Sequence, residues 1–158
     1  MLAACITPRP ITLPVTDQLH VTIPALWADR WLPAVAGSYI PDVLPDLLLE
    51  EDQVAVARAL ATRKATVDDL RRAARQAVSA AGARPWWEVN RLAGLADDDT
   101  GEVMGRLLLA GIDPARTTLA GWCAALYAHS VQHLDKTDRM RFDVHLGVVP
   151  PGAGDDDL

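Results

Sequence analysis

Across residues 50–146 apolar side chains recur every three or four positions, the period of a helix face, and the run is cut where helices stop and start. Thr66 and Asp69 have the spacing of a capping box. This predicts a helix to about Ala81 with Val67, Leu70, Ala74, Ala77 and Val78 inward, Arg71, Arg72 and Arg75 outward, and Gly82 as its stop signal. Pro85 opens the next helix, to about Leu95, and Asp97, Asp98 and Asp99 read as the polar loop that closes it. A further apolar helix covers residues 101–110. Gly111 suits a left-handed cap and Asp113-Pro114 an N-cap with the first helical position, so a new start follows. Thr118 then caps the most apolar helix, to about Leu134, and a last short helix over residues 137–146 precedes Pro150-Pro151-Gly152. Upstream, residues 50–62 place Val54, Ala57 and Ala61 on one helix face with Leu60 close by, and Glu50, Glu51 and Asp52 at the end the helix dipole favours. The expected core is Leu70, Ala74, Val78, Leu107, Leu108, Leu119, Trp122, Leu126 and Phe142.

The N-terminal segment has a different period. Residues 11–13 and 19–23 alternate around Thr16-Asp17-Gln18, which predicts two short strands joined by a tight turn. Such a ribbon is marginal by itself, so it either lies on the helical body or adds to a partner's sheet edge. Pro24 is placed to open a helix in which Trp27, Trp31 and Val35 share a face and which Gly37 ends. Residues 39–49, broken by Pro41 and Pro45, read as a packed connector with a short helical turn. The expected chain is thus mainly α. Residues 1–40 form an arm of a strand pair and first helix, 41–149 a compact multi-helix body, and 150–158 an acidic tail expected to be disordered.

At 158 residues the chain is one domain of ordinary size, and 23% charged with 50% apolar residues is the balance of a folding chain. Its net charge of −6 argues against a general nucleic-acid coat, which needs a basic surface. The charge is polarised along the sequence. Residues 58–91 hold eight Arg or Lys against three acids, whereas residues 42–52 hold five acids and no base, an arrangement that also allows a homo-oligomer. Cys5 and Cys123 are the two cysteines, one in the arm and one in an apolar helix, so no stabilising disulfide is expected and a reducing compartment fits. The first residues lack the basic and apolar regions of a signal peptide, and no stretch approaches a membrane span. A cytosolic chain is expected.

No pattern of catalytic residues competes for attention. His129 and His133 have the four-residue spacing that can hold a metal from one helix face, but Ser130 stands where a metalloprotease has Glu, and Cys123, Asp135 and His145 are not at ligand spacing. Cys123 reads as a buried, inert thiol, and the chain has no nucleophile elbow or phosphate loop. Neither enzyme activity, a metal nor a cofactor is expected. Protein binding remains, and adjacent Trp86 and Trp87 are its strongest candidates. Their side chains project about 100° apart on a helix, so one should be buried and the other partly exposed, free to anchor a partner. The Arg71, Arg72 and Arg75 face, offset by the acids of residues 42–52, is the second candidate.

The segment RPWWEVNRLAGLADDD, followed by GRLLLAGIDP, TTLAGWCAALYAHS, LDKTDRMRFD and VVPPG, resembles the small helical tail assembly chaperones of long-tailed phages that infect actinobacteria. Thirteen of the fifteen basic residues being Arg agrees with a GC-rich coding sequence of that origin. The resemblance implies a factor of the host cytoplasm that binds the phage tape measure protein and tail tube protein and is absent from the finished virion. It spans somewhat under half of the chain and is weakest over residues 1–40. That leaves two rivals: a small virion protein, such as a head–tail connector or tail completion subunit that locks into neighbours through the strand arm, and a small DNA-binding regulator using the Arg71, Arg72, Arg75 helix.

Overall fold

The computed structural model describes residues 7–36, 40–98 and 100–153. Cys5, Gly37, Asp99 and the acidic end from residue 154 lie outside them. Eight α-helices and one hairpin make up the described chain: β1 (Ile11–Thr16), β2 (Leu19–Ile23), α1 (Ala28–Ala36), α2 (Ile40–Leu47), α3 (Glu50–Ala61), α4 (Val67–Gly82), α5 (Trp86–Asp98), α6 (Thr100–Leu109), α7 (Leu119–Val131) and α8 (Lys136–Gly147). A 3₁₀ turn, Pro114–Arg116, leads into α7.

Helices α4 and α5 form the centre. α4 touches β1, α2, α5 and α7, while α5 touches α1, α4, α6, α7 and α8. The reason α4 starts where it does is the reciprocal cap: the Asp69 amide donates to the Thr66 hydroxyl at 3.2 Å, and the Thr66 amide and hydroxyl donate to the Asp69 carboxylate at 2.9 and 2.8 Å. Those bonds from Thr66, with help from the Arg72 guanidinium, hold the Asp69 carboxyl below the usual carboxylate range. A depressed folded pKa stabilises above the unfolded value and is lost as pH falls through the folded one. The melting-temperature gap between wild type and Asp69→Ala is therefore expected to be full at neutral pH and to close as pH falls below about 4. A gap that persists undiminished at low pH would show that the cap does not act through the carboxylate.

The far end of α4 corrects the sequence reading. Gly82 closes the helix, but the left-handed residue is Ala83, at φ 51°. Gly82 serves a close approach instead: a Cβ there would lie 2.4 Å from Val89 Cγ2 on α5. After α6 the signals read as expected, since Gly111 is left-handed at φ 80° and the Asp113 side chain accepts from the Ala115 amide to start the 3₁₀ turn. Asp97 and Asp98 continue α5 rather than forming a loop. α1 begins at Ala28, not at Pro24, and its first amide donates to the Thr117 carbonyl at 2.8 Å. The proline-broken connector forms a full helix, α2, with Pro45 inside it.

The hairpin lies on the body. Its inward residues Leu13, Val15, Val21 and Ile23 are buried in one cluster with Trp31, Leu44, Leu70, Val78, Leu92, Trp122 and Leu126. Residues 11–36 are therefore part of the same core, and a separate arm ending at residue 40 does not match the packing. The hairpin's edges are also blunted. The Thr22 amide turns away from β1 and donates to Asp52 on α3 at 2.7 Å, so in this antiparallel register Pro14, opposite His20, points its missing N–H outward. With Pro10 just before it, the outer edge of β1 keeps Thr12 as its donor between two prolines.

Of the expected core, Leu70, Ala74, Val78, Leu107, Leu119, Trp122 and Leu126 are buried. Leu108 is not, at 48% exposed, because consecutive leucines on a helix project about 100° apart and Leu107 takes the inward position. Phe142 is half-buried, its ring 6.0 Å from that of Tyr127. Among the described residues no helix is long and apolar enough to cross a membrane.

Candidate partner-binding surface

Trp86 and Trp87 open α5 directly after Pro85. Trp87 is the buried one, at 4% exposed, yet it is not part of the main buried cluster; Trp86 is half-buried and packs against that cluster. The two rings meet edge to face, 5.9 Å between centroids and 85° between planes. Neither indole N–H has a hydrogen-bond partner although both nitrogens are buried. Expecting one buried and one partly exposed indole matches this placement.

The structure brings one of the three arginines to that site. The Arg75 guanidinium lies over the Trp86 ring, 4.6 Å from its centroid, joining α4 to the start of α5. Arg71 and Arg72 are engaged elsewhere, with Asp68 at 2.9 Å and Asp69 at 2.7 Å, and Arg72 Nη2 also reaches the Val15 carbonyl at 3.4 Å. The expected offset by the acids of residues 42–52 is thus not what these two side chains use. A partner three residues away on the same helix costs less ordering than a distant one, and Asp52 is already bound to the hairpin.

A second aromatic cluster was not evident from the sequence. Tyr127 on α7 donates to Asp143 on α8 at 2.7 Å, lies beside Phe142, and is approached by the guanidinium of Arg84 at 5.1 Å. Arg84 also pairs with Glu88 at 2.9 Å. Arg91 on α5 donates to the His145 and Leu146 carbonyls at 3.0 and 2.7 Å, satisfying the C-terminal end of α8. This cluster is the clamp that seats α8.

The other chemistry-bearing residues stay apart. His129 Nδ1 lies 3.1 Å from Gln132 Nε2, and among the described residues no three His, Cys, Asp or Glu side chains come together as a metal would need. Burial pushes the Cys123 thiol up to about 11, which keeps it protonated and unreactive at neutral pH. What the sequence reading missed is how much large apolar surface points outward: Val54 on α3, Leu108 and Leu109 on α6, and Met140, Val144 and Val148 at and after α8. Val54, Ala57 and Ala61 share a face as expected, but that face is the exposed one. In comparisons with protein families, characterised proteins and solved structures, the chain gives no match.

Proposed function

We propose that this protein is a phage tail assembly chaperone, a cytoplasmic factor that binds the tape measure protein, and through it the tail tube protein, before the tube is built. The Trp86–Arg75 stack carries this reading. Trp and Arg are the residue types that most often anchor interfaces, and here Arg75 of α4 lies over half-buried Trp86, which belongs to the segment that bears the resemblance. A largely helical, partly apolar client suits a helical body with apolar side chains turned outward.

Two observations weigh against the rivals. A virion subunit that locks into neighbours by strand addition needs an open edge, and both edges of this hairpin are blunted by Pro10, Pro14 and Asp52. A DNA-binding helix needs a net basic face, and Asp68 and Asp69 lie one turn from Arg71 and Arg72 on α4, in a chain of net charge −6. Duplex DNA binding at physiological salt is expected to be absent.

Co-expression tests the proposal. The tape measure protein should be soluble with this chain and insoluble without it, and Trp86→Ala should weaken the complex by about 2 kcal/mol, roughly 30-fold. Arg75→Ala, which uncovers the ring while leaving it in place, is the second variant. A tape measure protein equally insoluble with and without the chain, together with recovery of the chain in purified virions, would replace the chaperone by the structural subunit.

A further inference from the structure

We propose that the protein self-associates head to tail, the outward face of α3 in one copy docking on the outward face of α8 in the next. Each of these helices has two apolar stripes, and the fold uses one. In α3 the inward stripe is Val56 with Ala59 and Leu60, while Val54, 54% exposed, faces out with Ala57 and Ala61 and is preceded by Leu49. In α8 the inward stripe is Phe142 and Leu146; Met140 and Val144, 61% and 65% exposed and one turn apart, face out toward Val148. Large apolar side chains aligned this way on two helices are surface that a partner helix covers.

Charge selects the partner. Glu50 and Glu51 border the α3 stripe and line a shallow depression with Leu49 and Val54. Lys136, one turn before Met140, and Arg141, beside it, border the α8 stripe. A parallel α3–α3 pair would set the glutamates against their own copies, and an antiparallel one, with Glu50 and Glu51 near Arg58 of the second copy, would leave the α8 stripe of both copies uncovered. Pairing α3 with α8 sets them against an ammonium and a guanidinium, with apolar stripes between. Arg141 also reaches Asp138 on its own helix at 3.2 Å, an exposed pair of a kind that contributes little and exchanges at small cost. A joint between two different faces leaves a free face at each end of the pair, so it propagates into longer assemblies instead of stopping at a dimer.

Sedimentation velocity of the full chain over a range of concentrations tests this, with no client present, so its outcome is separate from that of the co-expression experiment. The average mass should rise past the dimer with concentration and fall at high salt. Lys136→Glu with Arg141→Glu, and separately Glu50→Lys with Glu51→Lys, should each weaken association about tenfold or more. Mixing the two variants should restore it, because an acidic α8 then meets a basic α3. Met140→Glu with Val144→Glu, at exposed positions the core does not use, should abolish association while circular dichroism stays unchanged. A wild-type chain that stays monomeric throughout, variants that associate as wild type does, or a mixture no more associated than its components would overturn the proposal.

Discussion

Gly82→Ala is expected to destabilise the protein by about 2 kcal/mol, although a helix-propensity scale alone would have it stabilise by up to about 1 kcal/mol. The added methyl would lie 2.4 Å from Val89 Cγ2 and 3.5 Å from both Val89 Cβ and Cγ1. Val89 cannot give way easily. It is fully buried, and a β-branched side chain in a helix has one strongly preferred rotamer. The strain must therefore go into separating α4 from α5, the two helices on which most of the others pack. For a chain of this length the loss corresponds to a fall in melting temperature of roughly 4–8 °C. Gly94, further along α5, is the internal control: a Cβ there meets nothing within 4 Å, so Gly94→Ala should follow propensity and stabilise slightly. Val89→Ala removes the obstructing methyls at the cost of a cavity. In the double variant the Gly82→Ala penalty should largely disappear, a coupling of at least about 1 kcal/mol. A neutral Gly82→Ala with no coupling to Val89 would mean that the helices do not cross this closely.

The contrast between Gly82 and Gly111 shows what could be read from sequence. Both stand at helix ends, and both look like stop signals. Gly111 is one, left-handed at φ 80°, whereas at the end of α4 Ala83 takes the left-handed conformation and Gly82 is needed for its missing side chain. Local signals such as the Thr66 and Asp69 box, Asp113-Pro114 and Thr118 act within one turn, so they were legible. Facing was not legible for α3 or α8. Each has apolar residues on two sides, and the side that turns inward is chosen by the elements it packs on: β2 and α2 for α3, α5 for α8. The same limit applies to Leu107, Leu108 and Leu109, where only the first is buried.

The candidate surface was legible to the same depth. Adjacency alone implies that Trp86 and Trp87 diverge, but which of them is buried depends on how α5 packs against its neighbours, and it is Trp87 that turns inward while Trp86 stays half-buried under Arg75 of α4. The arginine face dissolved for a local reason: Asp68 and Asp69, three residues before Arg71 and Arg72, engage them first. A periodicity argument assigns such residues to one face without asking which partner is nearest. That is also why the outward stripes of α3 and α8 emerged from the fold and not from the sequence pattern.

Trp122→Ala is expected to have the largest effect of any single substitution, a loss of about 3–5 kcal/mol. Trp122 is fully buried in α7, within the cluster that joins the hairpin, α1, α2, α4 and α5, and α7 touches α1, α4 and α5. Removing the indole takes away both its apolar area and contacts that these elements share, and close-packed surroundings refill such a space only in part. Since small domains are stable by about 5–15 kcal/mol in total, this one change removes a large share. Trp122→Phe separates two contributions. It loses part of the volume, but it also removes a buried indole N–H that has no hydrogen-bond partner, whose desolvation costs about 1–3 kcal/mol in the native state. The two effects oppose each other, so Trp122→Phe should cost no more than about 1 kcal/mol and leave the unfolding transition as cooperative as in wild type. Urea denaturation followed by circular dichroism reads both, and it avoids the signals of Trp27, Trp31, Trp86 and Trp87 that would confuse fluorescence. If Trp122→Ala cost less than about 1 kcal/mol, α7 would not be the element that unites the hairpin with the helices. If Trp122→Phe cost as much as Trp122→Ala, the indole N–H would be making a bond that this packing does not contain.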